Sequence, residues 1–250
     1  MIINDILPIV MITTFHNFVY LPIYNGLIFI LSIIPGADVG LAVIVLTILI
    51  KTVLYPLSHK GLHTQRRMTE VAPKLEELKE KHKEDKQELA RKTMELYREE
   101  KINPFSSIFL LLIQIPVLIG LYLVFMNGGL PKIDPKDLYS FITPPVDVSM
   151  YLLGIFDLSK KNLILALLAG LAQFARAWVA PVPPPPLKTG GKPSFQQDFA
   201  RSMQIQMRYI LPIFITFFAY TTGGALALYW ITSNLFDIGT ELLVTKRMKK

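Results

Sequence analysis

The side chains best suited to chemistry in this sequence are polar groups set inside apolar runs. Lys51 follows GLAVIVLTILI and precedes TVLYPL. A cation in such a run is costly, so it is usually paired or functional. Thr47 and Tyr55 stand four residues to either side, which on a helix makes one polar stripe. Gln114 brings a neutral donor and acceptor to a second run. Trp230, Ser233, Asn234 and Asp237 share one face of another at helical spacing, while Gln173 and Arg176 lie toward the end of a fourth. Any one of these could be a hydrogen bond between helices. Lys51 also lies eight residues before His59, about 12 Å on a helix, a span that a snorkelling lysine stem partly covers. Taken together, the polar groups predict a wet cavity within a helical bundle, where hydration keeps Lys51 charged.

Bond-breaking chemistry has no comparable signature. There is no Walker A loop, no H-E-x-x-H and no G-x-S-x-G. The four histidines, His16, His59, His63 and His82, lie outside the apolar runs, so an intramembrane serine hydrolase would lack its base. His59 and His63 have an i,i+4 spacing that can bind metal, yet no acidic or thiol ligand accompanies them. With no cysteine in the chain, disulfides, thiolate metal sites and an acylated cysteine are excluded. The expectation is a non-enzyme with no metal and no cofactor.

The elements that must position these groups follow from composition. The 250 residues are 52% hydrophobic and only 18% charged, with mean hydropathy +0.42, and a soluble domain carries nearer a quarter charged residues. The predicted fold class is an all-α polytopic membrane protein with five transmembrane helices around a hydrophilic groove. Measured against the ~20 apolar residues that cross a bilayer, the spans are 39–58, 104–126, 162–180, 208–222 and 225–245. The last two meet at Gly223–Gly224, suited to a tight turn because glycine accepts positive φ. The fourth is short, so it either begins within the preceding loop or sits in thinned bilayer. Phe18 to Ile34 is apolar enough to span, but Pro22, Asn25 and Pro35–Gly36 interrupt it. The N-terminal segment 1–38 is therefore read as carrying a helix at the outer interface, with a sixth span as the lesser reading. Its first residues, MIINDILPIV, lack a positive n-region, so no secretory leader is expected.

Charge sets the orientation. The net charge of +7 reads as a cytoplasmic bias of Lys and Arg and not as a nucleic-acid footprint. Twelve Lys/Arg lie between His59 and Asn103, more follow at Lys188, Lys192, Arg201 and Arg208, and the 246–250 tail is basic. The 127–161 loop balances lysines against aspartates. The N-terminus is thus predicted outside and the C-terminus cytoplasmic. The 59–103 loop is rich in helix formers. Asp85 and Glu88 have capping-box spacing, and Glu77–Lys81 and Glu88–Lys92 are i,i+4 pairs. A mobile cytoplasmic helical hairpin with a thin apolar stripe (Leu75, Leu78, Leu89, Leu96, Tyr97) is expected. The 181–207 loop, with PVPPPP and then Gly190–Gly191, reads as a stiff polyproline connector and a hinge.

At this point the sequence resembles the YidC-type membrane protein insertase family, which has bacterial, mitochondrial and chloroplast members. The resemblance covers about residues 20 to 248. It rests on LTILIKTVLYPLS (46–58), APKLEELKEK (72–81), MELYREEKINPFSSIFLLLIQIPVLIGLY (94–122) and ALALYWITSNLFDI (225–238). It implies a groove open to cytoplasm and lipid but closed outside, with a basic residue of the first span in it. Most family members carry arginine there, and Lys51 keeps the charge without the two-pronged fork. The resemblance places Gln114, Trp230, Ser233 and Asn234 in the groove beside Lys51, Thr47 and Tyr55. It makes the hairpin, with Pro73, Asp85, Glu88 and Tyr97, the mobile element needed for insertion. The extra N-terminal span, large periplasmic domain and long basic tail of some members are not matched, and the short KRMKK end implies weak autonomous ribosome binding.

The resulting expectation is a membrane protein insertase and folding chaperone of a bacterial-type cell membrane, working without nucleotide hydrolysis. Its partners would be nascent membrane proteins and lipids, with a Sec translocon and the ribosome as further candidates, and no sequence-specific nucleic acid. A secondary transporter is the rival class, but it needs midplane ion ligands and repeat symmetry. Asp237 is the lone candidate carboxylate, and no repeat is evident.

Overall fold

The computed structural model describes residues 12–82, 85–103, 105–126, 130–180 and 205–248. Residues 181–204 of the connector expected over 181–207, the first eleven residues and the last two lie outside the described residues. What is described is mostly helical. The helices are α1 (Ile12–Ile33), α2 (Val39–Glu70), α3 (Ala72–Lys81) and α4 (Lys86–Glu99). They continue as α5 (Phe105–Met126), α6 (Leu163–Val179), α7 (Leu211–Thr222) and α8 (Gly224–Met248). A two-stranded antiparallel hairpin, β1 (Tyr151–Leu152) with β2 (Phe156–Asp157), folds the loop between α5 and α6.

Two helices carry a proline in a way the sequence did not disclose. In α1 a π-helical turn at His16–Tyr20 comes immediately before Leu21–Pro22. A second π-turn, Gln206–Ile210, comes immediately before Leu211–Pro212. The wider turn accommodates a ring that has no N–H to give. Pro22 therefore does not interrupt α1, which runs 22 residues and is long and apolar enough to cross a bilayer, as is α2. Within α5, itself 22 residues long, the stretch Leu112–Met126 is apolar, and α6 is a shorter apolar helix of 17 residues. The short fourth segment does begin earlier than its apolar run, with helix from residue 205 onward.

The middle of α1 is held against the α5–α6 loop. Asn25 donates to the Asp137 carbonyl (2.8 Å) and accepts from the Tyr139 amide (2.7 Å). The Tyr24 hydroxyl accepts from the Asp134 amide at 3.1 Å. The start of α2 is stitched to the same loop. Asp38 caps the helix by accepting from Leu41 N (2.9 Å) and also accepts from Leu153 N (2.6 Å). Val39 N donates to the Ser149 carbonyl at 2.9 Å. Gly40 permits this contact, because a Cβ there would lie 2.6 Å from Leu152 Cβ. At the same end Gly223 turns between α7 and α8 with φ +98°, and a Cβ on Gly224 would sit 2.9 Å from Leu158 Cα.

The apolar core gathers at this end, with Tyr24, Leu27, Val39, Val43, Leu121 and Leu226 all fully buried. The outward faces are apolar too. Val45, Leu49 and Val53 of α2, Leu171 of α6, and Phe214 and Phe217 of α7 are exposed, the surface expected of helices whose solvent is lipid.

At the far end α2 continues to Glu70, past the expected boundary at 58, so the hairpin expected over 59–103 is the shorter pair α3 and α4. Pro73 occupies the first turn of α3. Asp85 caps α4 by accepting from Gln87 N and Glu88 N (3.0 and 2.9 Å). The return half of the capping box is replaced, because the Glu88 carboxylate takes Arg91 instead (2.9 and 2.6 Å). The expected Glu77–Lys81 and Glu88–Lys92 pairs do not form among the described residues, and Arg91 and Lys92 turn to Glu95. Tyr97 is half-buried, while Val71 and Ile102 are buried where the hairpin opens.

That opening is closed by Lys74, which donates to Glu100 at 2.5 Å. The hydrogen bond and the charge of Lys74 hold the Glu100 carboxyl below its ordinary range, and Glu100 raises the Lys74 ammonium in turn. The depressed carboxyl contributes above its unfolded pKa and loses that contribution as pH falls through its folded value. The raised lysine contributes below its unfolded pKa and loses that contribution only as pH rises through its folded value. The latch is therefore complete around neutral pH. In hydrogen exchange corrected for intrinsic rates, protection at the Leu75 and Ile102 amides should fall as pH drops below about 4. Lys74→Gln should show the lower protection already at pH 7 and little further change on acidification.

Candidate functional site

The polar groups meet on the face of α8 where Tyr229, Ser233, Asp237, Glu241 and Thr245 recur every four residues. Lys51 of α2 faces them and is buried, 8% exposed. Its Nζ donates to both carboxylate oxygens of Asp237, at 2.9 and 3.0 Å, and to Gln114 Oε1 of α5 at 3.4 Å. Asp237 also receives Arg176 Nε of α6 at 2.9 Å. Gln114 turns its amide to the Tyr229 hydroxyl. Three helices thus meet at one carboxylate, a fourth joins through Gln114, and the cluster of Lys51, Arg176 and Asp237 carries one net positive charge.

The depth of this cluster is consistent from helix to helix. Lys51, Arg176 and Asp237 lie twelve or thirteen residues into α2, α6 and α8. At 1.5 Å per residue this is about 18–20 Å from the end that holds the apolar core. The carboxylate is bonded to side chains of both α2 and α6, which disfavours a role as a free ligand for a coupling ion.

The remaining candidates are placed unevenly. Thr47 is buried, but its hydroxyl donates to the Val43 carbonyl at 2.6 Å, so it is committed to its own helix. Tyr55 is half-buried and its ring lies 5.8 Å from that of His59. Trp230 is half-buried and stands edge-on to Phe218 at 5.5 Å. Ser233 and Asn234 are buried beside Asp237, and Asn234 Nδ2 has no acceptor among the described residues. Asp85, Glu88, Pro73 and Tyr97 belong to the hairpin and are separate from the cluster. Among the described residues no three His, Cys, Asp or Glu are grouped to hold a metal.

Sequence reasoning named Asp237 and Arg176 but did not join them to Lys51. It missed a second ion pair altogether. Arg66 of α2 donates to the Glu241 carboxylate (Nε at 2.9 Å) and to Thr245. Both partners are largely buried, their side chains 15% and 4% exposed, and Glu241 Oε2 has no partner among the described residues. The four-residue recurrence along α8 is the signal that could have found Glu241. Nothing local marks Arg66 within its basic run.

Residues 29–250 match the family described as the 60Kd inner membrane protein. The protein called membrane protein insertase YidC from Francisella tularensis subsp. novicida is 34% identical over 209 residues, which cover 83% of this chain and 32% of that protein. Proteins of the same name from subspecies tularensis and mediasiatica match to the same extent. This chain therefore spans about a third of the length of the curated relatives it matches.

Breaking a buried ion pair by removing one partner strands the other charge, at a cost of about 3–5 kcal/mol. Glu241→Leu should accordingly lower the unfolding free energy of the detergent-solubilised protein by roughly that amount. An unchanged denaturation midpoint would show that Arg66 and Glu241 do not hold α2 to α8.

Proposed function

This chain belongs to the 60Kd inner membrane protein family, and from that premise we propose that it inserts nascent membrane proteins and assists their folding in a cell membrane. In this reading α2, α5, α6, α7 and α8 are the five spans, with the N-terminus outside and the hairpin and C-terminus in the cytoplasm. The single observation that carries the proposal is the Lys51–Asp237–Arg176 cluster with its net positive charge at bilayer depth.

The geometry supports a groove closed on one side. The end that holds the apolar core and the α5–α6 loop is sealed by buried Tyr24, Val39, Val43 and Leu226. The cluster lies about 18–20 Å further in, beyond the middle of a ~30 Å hydrocarbon layer. Asn25 and Tyr24 bind the loop from the centre of α1, which suits a helix lying against the outer face. Tyr55, Gln114, Trp230, Ser233 and Asn234 complete the groove around Lys51, and Thr47 packs beside it with its hydroxyl bound to its own helix.

The short, often acidic tail of an arriving protein is drawn to this charge while its apolar segment slides into lipid beside α7 and α8. A Leu-like residue gains ~0.3–0.6 kcal/mol on leaving for the bilayer, roughly 10 kcal/mol over twenty. Each charge at mid-membrane costs ~2.5–3.5 kcal/mol. Partitioning can therefore carry two or three charges across, and a wet groove that shortens the dry path extends this modestly. Large charged domains need a Sec-type channel. The hairpin, latched at its base by Lys74 and Glu100, is the mobile cytoplasmic element of this cycle, and nucleotide hydrolysis has no part in it.

Substitution at position 51 tests the electrostatic step, with protease protection of single-span substrates in liposomes as the readout. Lys51→Arg should insert acidic tails nearly as well as the parent. Lys51→Leu should lose a factor of roughly 5–30, the equivalent of one to two kcal/mol, chiefly for acidic tails, while Arg176 still pairs Asp237. Normal insertion of acidic tails by Lys51→Leu would refute the attraction.

A further inference from the structure

The cluster is one carboxylate short. Lys51 and Arg176 supply two positive charges, and Asp237 supplies a single negative one. Lysine has three N–H donors, and beyond Asp237 the Lys51 ammonium has, among the described residues, only a long 3.4 Å contact with Gln114. Arg176 meets Asp237 through Nε, and its side chain is 40% exposed. One turn before Asp237, Asn234 is 4% exposed and its amide donor has no acceptor among the described residues. Excess cation, an accessible guanidinium and an orphaned buried donor all ask for the same thing, an oxyanion.

We propose that Asp237 is a built-in competitor, at Lys51 and Arg176, of the Asp or Glu side chain that the arriving polypeptide brings to this cluster. Between substrates Asp237 satisfies Lys51 and Arg176 together. The arriving carboxylate meets exposed Arg176 first, then shares Lys51, while Asp237 stays within the cluster. When the tail moves on, Asp237 resumes both contacts. Capture is thereby an exchange of ion pairs and not the filling of a bare charge, so the site can attract a tail and still release it. A transit site must meet both conditions. Asp237 and Arg176 then set how strongly the groove prefers acidic tails. This deepens the insertase reading and rests on it.

The test compares a short acidic tail with its twin in which Asp and Glu become Asn and Gln, using protease protection in liposomes. The ratio of acidic to neutral insertion is the readout, because a merely structural role for the cluster lowers both tails together. Arg176→Gln should lower the ratio roughly fivefold and Asp237→Asn should raise it by a similar factor. Asp237→Glu should return it toward the parent value. A ratio that moves in neither variant overturns the proposal. If Asp237→Asn does not purify as a monodisperse protein, Arg176→Gln decides alone, since the Lys51–Asp237 pair remains. If the parent protects neither tail, the insertase reading fails. Binding of the two tail peptides to the detergent-solubilised protein then judges the site, and equal affinity for both peptides, or an acidic preference that survives Arg176→Gln, overturns it.

Discussion

A positive charge at bilayer depth must be hydrated, paired or both, and the arrangement of this protein follows from how Lys51 meets that constraint. Its partner is a carboxylate 186 residues away on the last helix. That carboxylate is also bonded to Arg176 of α6. Holding three charges within hydrogen-bonding distance requires α2, α6 and α8 to share one depth, and all three place the charge twelve or thirteen residues from their starts. Those starts are fixed in turn by local caps and turns. Asp38 and Asn162 cap α2 and α6, and Gly223 provides the turn into α8.

The division of the molecule into a dry end and a polar end has a functional logic. Buried aromatic and aliphatic side chains seal one end together with the α5–α6 loop. Further along, the same helices carry lysine, arginine, aspartate, asparagine and glutamine. Under the proposed function, a cavity closed on one side would admit a polar tail without opening a continuous leak. The outward apolar faces of α2, α6 and α7 would give an arriving segment a lipid surface to move along, with ordinary partitioning as the driving force for its release.

Much of this was legible in the sequence, for reasons that can be named. Lys51 stands out because its neighbours are apolar, and hydropathy is a local property. Gly223, the Asp85 cap and the hairpin helices were readable because turns and caps are written in adjacent residues. The early start of the short fourth segment was read as one of two alternatives, and the helix from residue 205 matches it. Other features were hidden because they depend on distant or compensating contacts. Asp237 was visible as a polar residue but not as the partner of Lys51, since no local pattern encodes that separation. Arg66 was hidden among neighbouring cations. Pro22 looked like an interruption because a π-turn that absorbs a proline has no simple sequence mark. Thr47 looked like a groove residue by spacing, yet its hydroxyl is spent on its own helix. The expected Glu77–Lys81 and Glu88–Lys92 pairs gave way to Arg91 and Lys92 contacts because exposed charges choose freely among near-equal partners.

The proposed movement of a short tail past the polar cluster is tested by reconstituting the purified chain into sealed liposomes, adding a small single-span protein, and asking whether external protease can reach its tail. Protection well above that in empty liposomes is expected when the tail is short and carries one or two carboxylates. Protection no greater than in empty liposomes would contradict it and would leave the groove as a surface that only helps other membrane proteins fold.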